Sequence, residues 1–379
     1  MGFVDLLVVA MIPVIQVLFT TGVGLFMAVD SVNLLGPEAR HSLNNVTCLL
    51  CVLPALVISS LAETITFDSL VSLWFMPINI LLTFVIGSAL AWFLIQITRT
   101  PPHLHGLVIG CCSAGNVGNL LLIVVPAVCQ EANSPFGDSS ACSTSAEAYA
   151  SLSMACAEMP GSGSVKRIQV PVIEKIFHFI NMIGEKIEFK MIFAPSTVAA
   201  ILGFMIGSVS QIRKALIGDS APLRALHGSA SLLGDPATPC MTLIVGANLL
   251  NGLKRSGVGL HVIIGVILVR YLFMPLLGIG IVKAACSLGM VGSDMLYQFV
   301  LMIQYAVPPG MSVGIIAELL EVGESECSVI MLWSYLLGAF SLTICPLGVV
   351  SNIATRLDPS QNLASDWQFQ TLVEGAWNC

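Results

Sequence analysis

Between positions 4 and 28 this chain carries a single charged side chain, Asp5, and the same sparseness recurs along most of its length. A helical run of about 18–20 apolar residues matches the hydrocarbon thickness of a bilayer. Nine such runs are legible, at residues 4–28, 43–62, 70–97, 104–128, 189–209, 222–250, 258–286, 295–320 and 328–350. A tenth, residues 146–159, is shorter and ends in Glu158-Met159-Pro160-Gly161, so it reads as the first half of a span. Charged residues make up 10% of the chain, against about 25% in a soluble domain. Soluble globular and disordered classes are thereby excluded. Nucleic acid is excluded as a partner, because the net charge is −7 and phosphate backbones need basic surfaces. The chain's principal partner is the lipid bilayer.

The basic residues orient the spans. With ten crossings, loops on the N-terminal side hold four of them: Arg213, Lys214, Lys283 and Arg356. The opposite loops hold nine: Arg40, Arg99, Lys166, Arg167, Lys175, Lys186, Lys190, Lys254 and Arg255. Without the short piece as a crossing the split is seven to six. The positive-inside rule therefore favours ten crossings, with the N-terminus non-cytoplasmic and the central loop cytoplasmic. Met1–Asp5 carries no basic residue and no small-residue cleavage site follows, so the first run reads as a retained span. In the central loop Ile173, Ile176, Phe177, Ile180, Ile183 and Ile187 recur at helical spacing, with charged residues between them. That pattern fits an amphipathic helix on the membrane surface or one packed on the bundle.

The two halves echo each other in their prolines and glycines. Pro13 with Gly22 and Gly24 matches Pro195 with Gly203 and Gly207, and Pro54 matches Pro239. Phe75-Met76-Pro77 matches Phe273-Met274-Pro275. The interruption Gly115-Asn116-Val117-Gly118-Asn119 in the fourth span matches Pro308-Pro309-Gly310 in the ninth. Five spans per half, an odd number, set the halves in opposite orientations. The expected fold is an all-α integral membrane protein of about ten helices in two inverted five-helix repeats. Its parts are residues 1–157 (first repeat, fifth span truncated), 158–188 (cytosolic loop), 189–350 (second repeat) and 351–379 (polar disordered tail).

Matched interruptions in corresponding spans of inverted halves point to a secondary transporter's binding site. Gly115 and Gly118 free the chain, Asn116 and Asn119 add polar groups, and the half-helix starting near Asn119 aims its positive end at the break. Pro308, Pro309 and Gly310 force the second break opposite. Asn79 and Gln304 are further polar candidates, though each could serve a neighbouring helix instead. Asp235, in Gly234-Asp235-Pro236, reads as a helix-restarting cap or as an ion or proton relay. Arg270 needs a partner in lipid, and Asp235 is one candidate.

Most of the twelve cysteines lie inside apolar runs, and the Cys48–Cys51 spacing has no second ligand pair, so no metal is expected. Cys129 and Cys142 differ: they bracket a polar loop on the non-cytoplasmic side, where a disulfide forms readily. No phosphate-binding Gly-rich loop, nucleophile elbow or zinc-protease motif occurs, so neither an enzyme nor a cofactor is expected. A homodimer stays open, since Gly203 and Gly207 suit a dimer contact and packing within the bundle equally well.

Several motifs together carry a family resemblance. In the first half they are Leu61-Ala62-Glu63-Thr64, Trp74-Phe75-Met76-Pro77-Ile78-Asn79, Leu104-His105-Gly106-Leu107, Gly115-Asn116-Val117-Gly118-Asn119-Leu120 and Ser134-Pro135-Phe136-Gly137. In the second they are Ala194-Pro195, Ala221-Pro222-Leu223-Arg224, Val269-Arg270-Tyr271 and Glu326-Cys327-Ser328-Val329-Ile330. Over most of residues 1–157 and 189–345 the chain resembles the plant PIN-LIKES auxin carriers. The resemblance implies that the broken fourth and ninth helices cross. It also implies residence in the endoplasmic reticulum membrane and transport of indole-3-acetic acid or a similar amphipathic anion, which controls auxin homeostasis and signalling. The related PIN carriers have Asn-Pro-Asn where Gly-Asn-Val-Gly-Asn stands here. The chain departs from the family after Glu158 and after Cys345, and a transport-incompetent regulatory or scaffold variant is the rival reading.

The charge split makes a topological prediction. On sealed microsomes, added protease should digest residues 158–188 and spare residues 129–145; the reverse pattern contradicts the ten-span orientation.

Overall fold

The computed structural model describes residues 3–46, 52–65, 71–130, 134, 136–158, 195–218, 221–255, 259–292, 294–319 and 322–357. In the first half its helices are α1 Phe3–Ala28, α2 Pro37–Asn44, α3 Val52–Thr64, α4 Phe75–Thr98, α5 His105–Ser113, α6 Asn119–Gln130 and α7 Ser139–Glu158. The second half begins with α8 Pro195–Ser208, α9 Ser210–Leu216, α10 Arg224–Gly234, α11 Ala237–Arg255 and α12 Leu260–Leu268. It continues with α13 Met274–Ser287, α14 Met295–Ile303, α15 Met311–Leu319 and α16 Glu324–Leu357. Among the described residues there is no strand beyond one isolated bridge. The fold is all-α, as the apolar runs predict.

Among the described residues two helical stretches are both long and apolar enough to cross a bilayer, Phe75–Thr98 and Leu260–Ser287. The outward faces of the helices are apolar too: Phe19, Phe26, Phe93, Ile97, Leu232 and Leu276 are exposed. Isolated exposed apolar residues are ordinary on a soluble protein, but a shell of them fits a chain solvated by lipid.

Small residues let the backbones touch. α1 packs along α11, where a Cβ on Gly24 would run into the Leu243 backbone and one on Gly246 into the Thr21 backbone. α8 packs on α3 through Gly203 and Gly207, whose Cβ positions fall against Ile58, Leu61 and Ile65. These two glycines therefore serve packing within the chain. A second group forms around α4, which contacts α5, α7 and α12. Gly87 on α4 approaches the C-terminal end of α5, its Cβ position 2.6 Å from the Cys112 carbonyl oxygen.

The helix at the fifth predicted span, α7, is longer than the apolar run that marks it. α7 has 20 residues, about 30 Å of helix, and begins seven residues before position 146 because a cap starts it. Asp138 accepts hydrogen bonds from the Ser140 hydroxyl (2.6 Å) and the Ala141 N–H (3.1 Å), and these bonds hold its carboxyl below the usual carboxylate range. Serines 139, 140 and 143 make that first half polar, which hides it from a hydropathy reading. α16 likewise continues through the first seven residues assigned above to a tail, ending at Leu357. The amphipathic pattern of residues 173–187, the Cys48–Cys51 pair and residues 358–379 lie outside the described residues.

The α1–α11 contact gives a stability prediction. Gly246→Val should destabilise the protein by about 1–3 kcal/mol, since overpacking forces backbones apart. Thermal unfolding in detergent measures it, with Gly280→Val, whose Cβ would meet nothing within 4 Å, as the near-neutral control.

Candidate functional site: a crossing of two broken helices

Both predicted interruptions are real breaks, and they meet. α5 ends at Ser113 and α6 starts at Asn119; α14 ends at Ile303 and α15 starts at Met311. Between them the two extended segments pair as an antiparallel bridge, Gly115 against Pro309. The Asn116 N–H donates to the Pro308 carbonyl (2.8 Å) and the Gly310 N–H to the Ala114 carbonyl (2.9 Å). A backbone interrupted in lipid must satisfy its polar groups, and here each break satisfies the other. The first turns of α6 and α15 both leave this crossing, so two positive helix ends lie beside it.

Side chains lock the arrangement. The Asn116 amide, largely buried, donates to the Tyr335 hydroxyl (2.8 Å), which donates to the Pro309 carbonyl (3.1 Å). Tyr335, on α16, is a site residue that the sequence reading missed: a lone tyrosine in an apolar run carries no local signal. It also lines an apolar pocket formed by Val17 and Thr21 of α1, Thr242 and Val245 of α11, Met311 of α15 and Met331 of α16. The pocket has an empty volume of about 320 Å³, which includes space open to the surroundings.

Arg270 does not pair with Asp235. It is completely buried, and its guanidinium donates to the carbonyls of Cys112 (3.0 Å), Val307 (2.7 Å) and Pro308 (3.2 Å). Asp235 is exposed, in a helical conformation just after α10 at the α10–α11 junction. The reason is local geometry. Pro275 has no N–H, and the helix accommodates it with a wide π-turn over Val269–Phe273, which carries Arg270 toward the crossing.

Asn79 and Gln304 find each other. The Asn79 amide donates to Gln304 Oε1 (2.7 Å) and the Leu301 carbonyl (3.0 Å). Gln304 Nε2 donates to Ser153 Oγ and Met76 Sδ, both at 2.8 Å. The Tyr305 hydroxyl donates to Asn79 Oδ1 (3.1 Å). Both residues are fully buried, so this closed network joins α4, α7 and the end of α14 rather than lining open space. Gly118 lies against Met154 of α7, its Cβ position 2.8 Å from that side chain. Cys129 and Cys142 are joined by a disulfide, with Cα atoms 5.5 Å apart, tying the end of α6 to the start of α7. Among the described residues no cluster of side chains could hold a metal ion.

The network predicts a separation of stability from binding. Asn79→Ala and Gln304→Ala each strand a buried partner and should cost about 1–3 kcal/mol. Their thermal unfolding should fall while ligand affinity of the folded protein stays close to wild type.

Comparison with known proteins finds relatives along most of the chain. The family described as "membrane transport protein" matches residues 9–346. Protein PIN-LIKES 1 of Arabidopsis thaliana is 46% identical over 91% of this chain and 80% of its own length. PIN-LIKES 3 and PIN-LIKES 5 of the same plant are 44% and 43% identical, each covering at least 90% of this chain and 97% of its own. A chain whose helix breaks pair in this way, with identity of that extent, belongs to the PIN-LIKES group of the membrane transport protein family.

Proposed function

We propose that this chain is a secondary carrier that moves indole-3-acetate, or a closely similar amphipathic anion, across the endoplasmic reticulum membrane. In doing so it withdraws auxin from the nuclear signal and regulates its homeostasis. The observation that carries the reading is the crossing itself. Two half-helix N-termini with their first-turn N–H groups, and the Asn116 side chain, lie beside the point where the paired segments meet, a combination suited to a carboxylate. An apolar pocket adjoins it through Tyr335, and an apolar wall beside a few polar groups is the usual form of a site for an aromatic acid. The endoplasmic reticulum and auxin itself rest on the resemblance to the PIN-LIKES carriers.

In this reading the helices form two inverted five-helix repeats, with α5–α6 and α14–α15 as their corresponding broken members. The carboxylate docks at the α5–α6 break, held by Asn116, Asn119 and backbone N–H groups, with Pro308–Gly310 opposite. The rival reading, a variant without transport, rests on the departures from the family after Glu158 and Cys345; α7 is 20 residues long and ends at Glu158.

The test is binding of labelled indole-3-acetate to purified protein of matched stability. A hydrogen bond to a charged group contributes about 1.5–3 kcal/mol, so Asn116→Ala or Asn119→Ala should weaken affinity roughly tenfold or more. Unchanged affinity in both variants moves the site away from the fourth span.

A further inference from the structure

A buried arginine normally needs a carboxylate or another strong acceptor, because a desolvated charge is costly. Arg270 has no carboxylate among the described residues. The titratable groups facing it are Cys111, Cys112, Tyr271 and Tyr335, and its Nε is buried with no hydrogen-bond partner. Among the described residues its hydrogen-bond acceptors are three carbonyls, from the end of α5 and from the second break. Cys112 lies in the last turn of α5, where carbonyls are orphaned and the helix end is negative. Val307 and Pro308 lie in the break after α14. One planar fork therefore reaches across the crossing, a geometry that lysine's single ammonium cannot reproduce. The Gly115 position is shaped to the same group, since a Cβ there would stand 2.6 Å from an Arg270 terminal nitrogen and 2.8 Å from Val307.

From this we infer that Arg270 is a positioning residue that staples the two broken helices together and biases the crossing toward anions without touching the ligand. By meeting the negative end of α5 at the Cys112 carbonyl and two carbonyls of the second break, it leaves the positive N-termini of α6 and α15 as the dominant field at the break. The ligand class it selects is an amphipathic carboxylate over its neutral amide. This second part rests on the carboxylate-site reading above; the staple does not.

Hydrogen exchange on the purified full-length chain in detergent tests the staple. In Arg270→Gln and in Gly115→Ala, amides within residues 113–118 and 306–312 should exchange at least tenfold faster than in wild type. Peptides from α1 and α11 should be unchanged, and Arg270→Lys should fall between. Should Arg270→Gln not fold, Gly115→Ala, which keeps the charge and displaces the guanidinium, and Arg270→Lys still decide the matter. Wild-type protection at both segments in the folded variants overturns the proposal.

Binding of indole-3-acetate and of neutral indole-3-acetamide tests the charge. Arg270→Gln should lower the acetate-to-acetamide preference at least tenfold, whereas Arg270→Lys should largely retain that preference at weaker affinity for both. Equal losses for both ligands in Arg270→Gln overturn the electrostatic part. Failure of wild-type protein to bind indole-3-acetate overturns the carboxylate-site reading, and the exchange result then judges the staple separately.

Discussion

An unpaired backbone amide in hydrocarbon is so unfavourable that a broken helix survives there only if something else takes up its polar groups. In this chain two breaks, separated by nearly two hundred residues of sequence, take up each other's. The pairing of Asn116 with Pro308 and of Gly310 with Ala114 sets where α5, α6, α14 and α15 point. Neighbouring contacts are arranged around this constraint. Gly87 lets α4 close on the end of α5, the Asn79–Gln304 network ties α4 to the end of α14, and Tyr335 fastens α16 to both segments.

The arrangement also resolves a chemical conflict. A carrier for an amphipathic acid needs a polar contact for the carboxylate inside a medium that rejects polarity. Free side-chain charges would hold an anion too firmly or demand partners of their own. Helix ends and backbone N–H groups supply partial charge that is fixed in direction and already part of the fold. The apolar pocket beside the crossing is bounded by α1, α11, α15 and α16, and in the proposed reading it receives the apolar part of the ligand.

Much of this was legible because glycine and proline punctuate helices locally. The start of α6 at Asn119, the break before Met311 and the bonded Cys129–Cys142 pair all follow from short-range patterns. Contacts between distant spans were not legible. Arg270 was evidently in need of a partner, but one carbonyl from the end of α5 and two from the second break leave no trace in residue types. Asn79 and Gln304 read as separate polar candidates, when each is the other's partner. The length of α7 was missed for a different reason: its first half is defined by a cap and serines rather than by hydrophobicity.

The central claim is that the crossing and its adjoining pocket form the binding site. Photoaffinity labelling with an azido derivative of indole-3-acetate, followed by mapping of the modified peptides, tests it most directly. The account predicts label within residues 113–120, 304–312 and 328–335, suppressed by excess unlabelled indole-3-acetate. Suppressible label confined to other peptides, with these three unmodified, would contradict it.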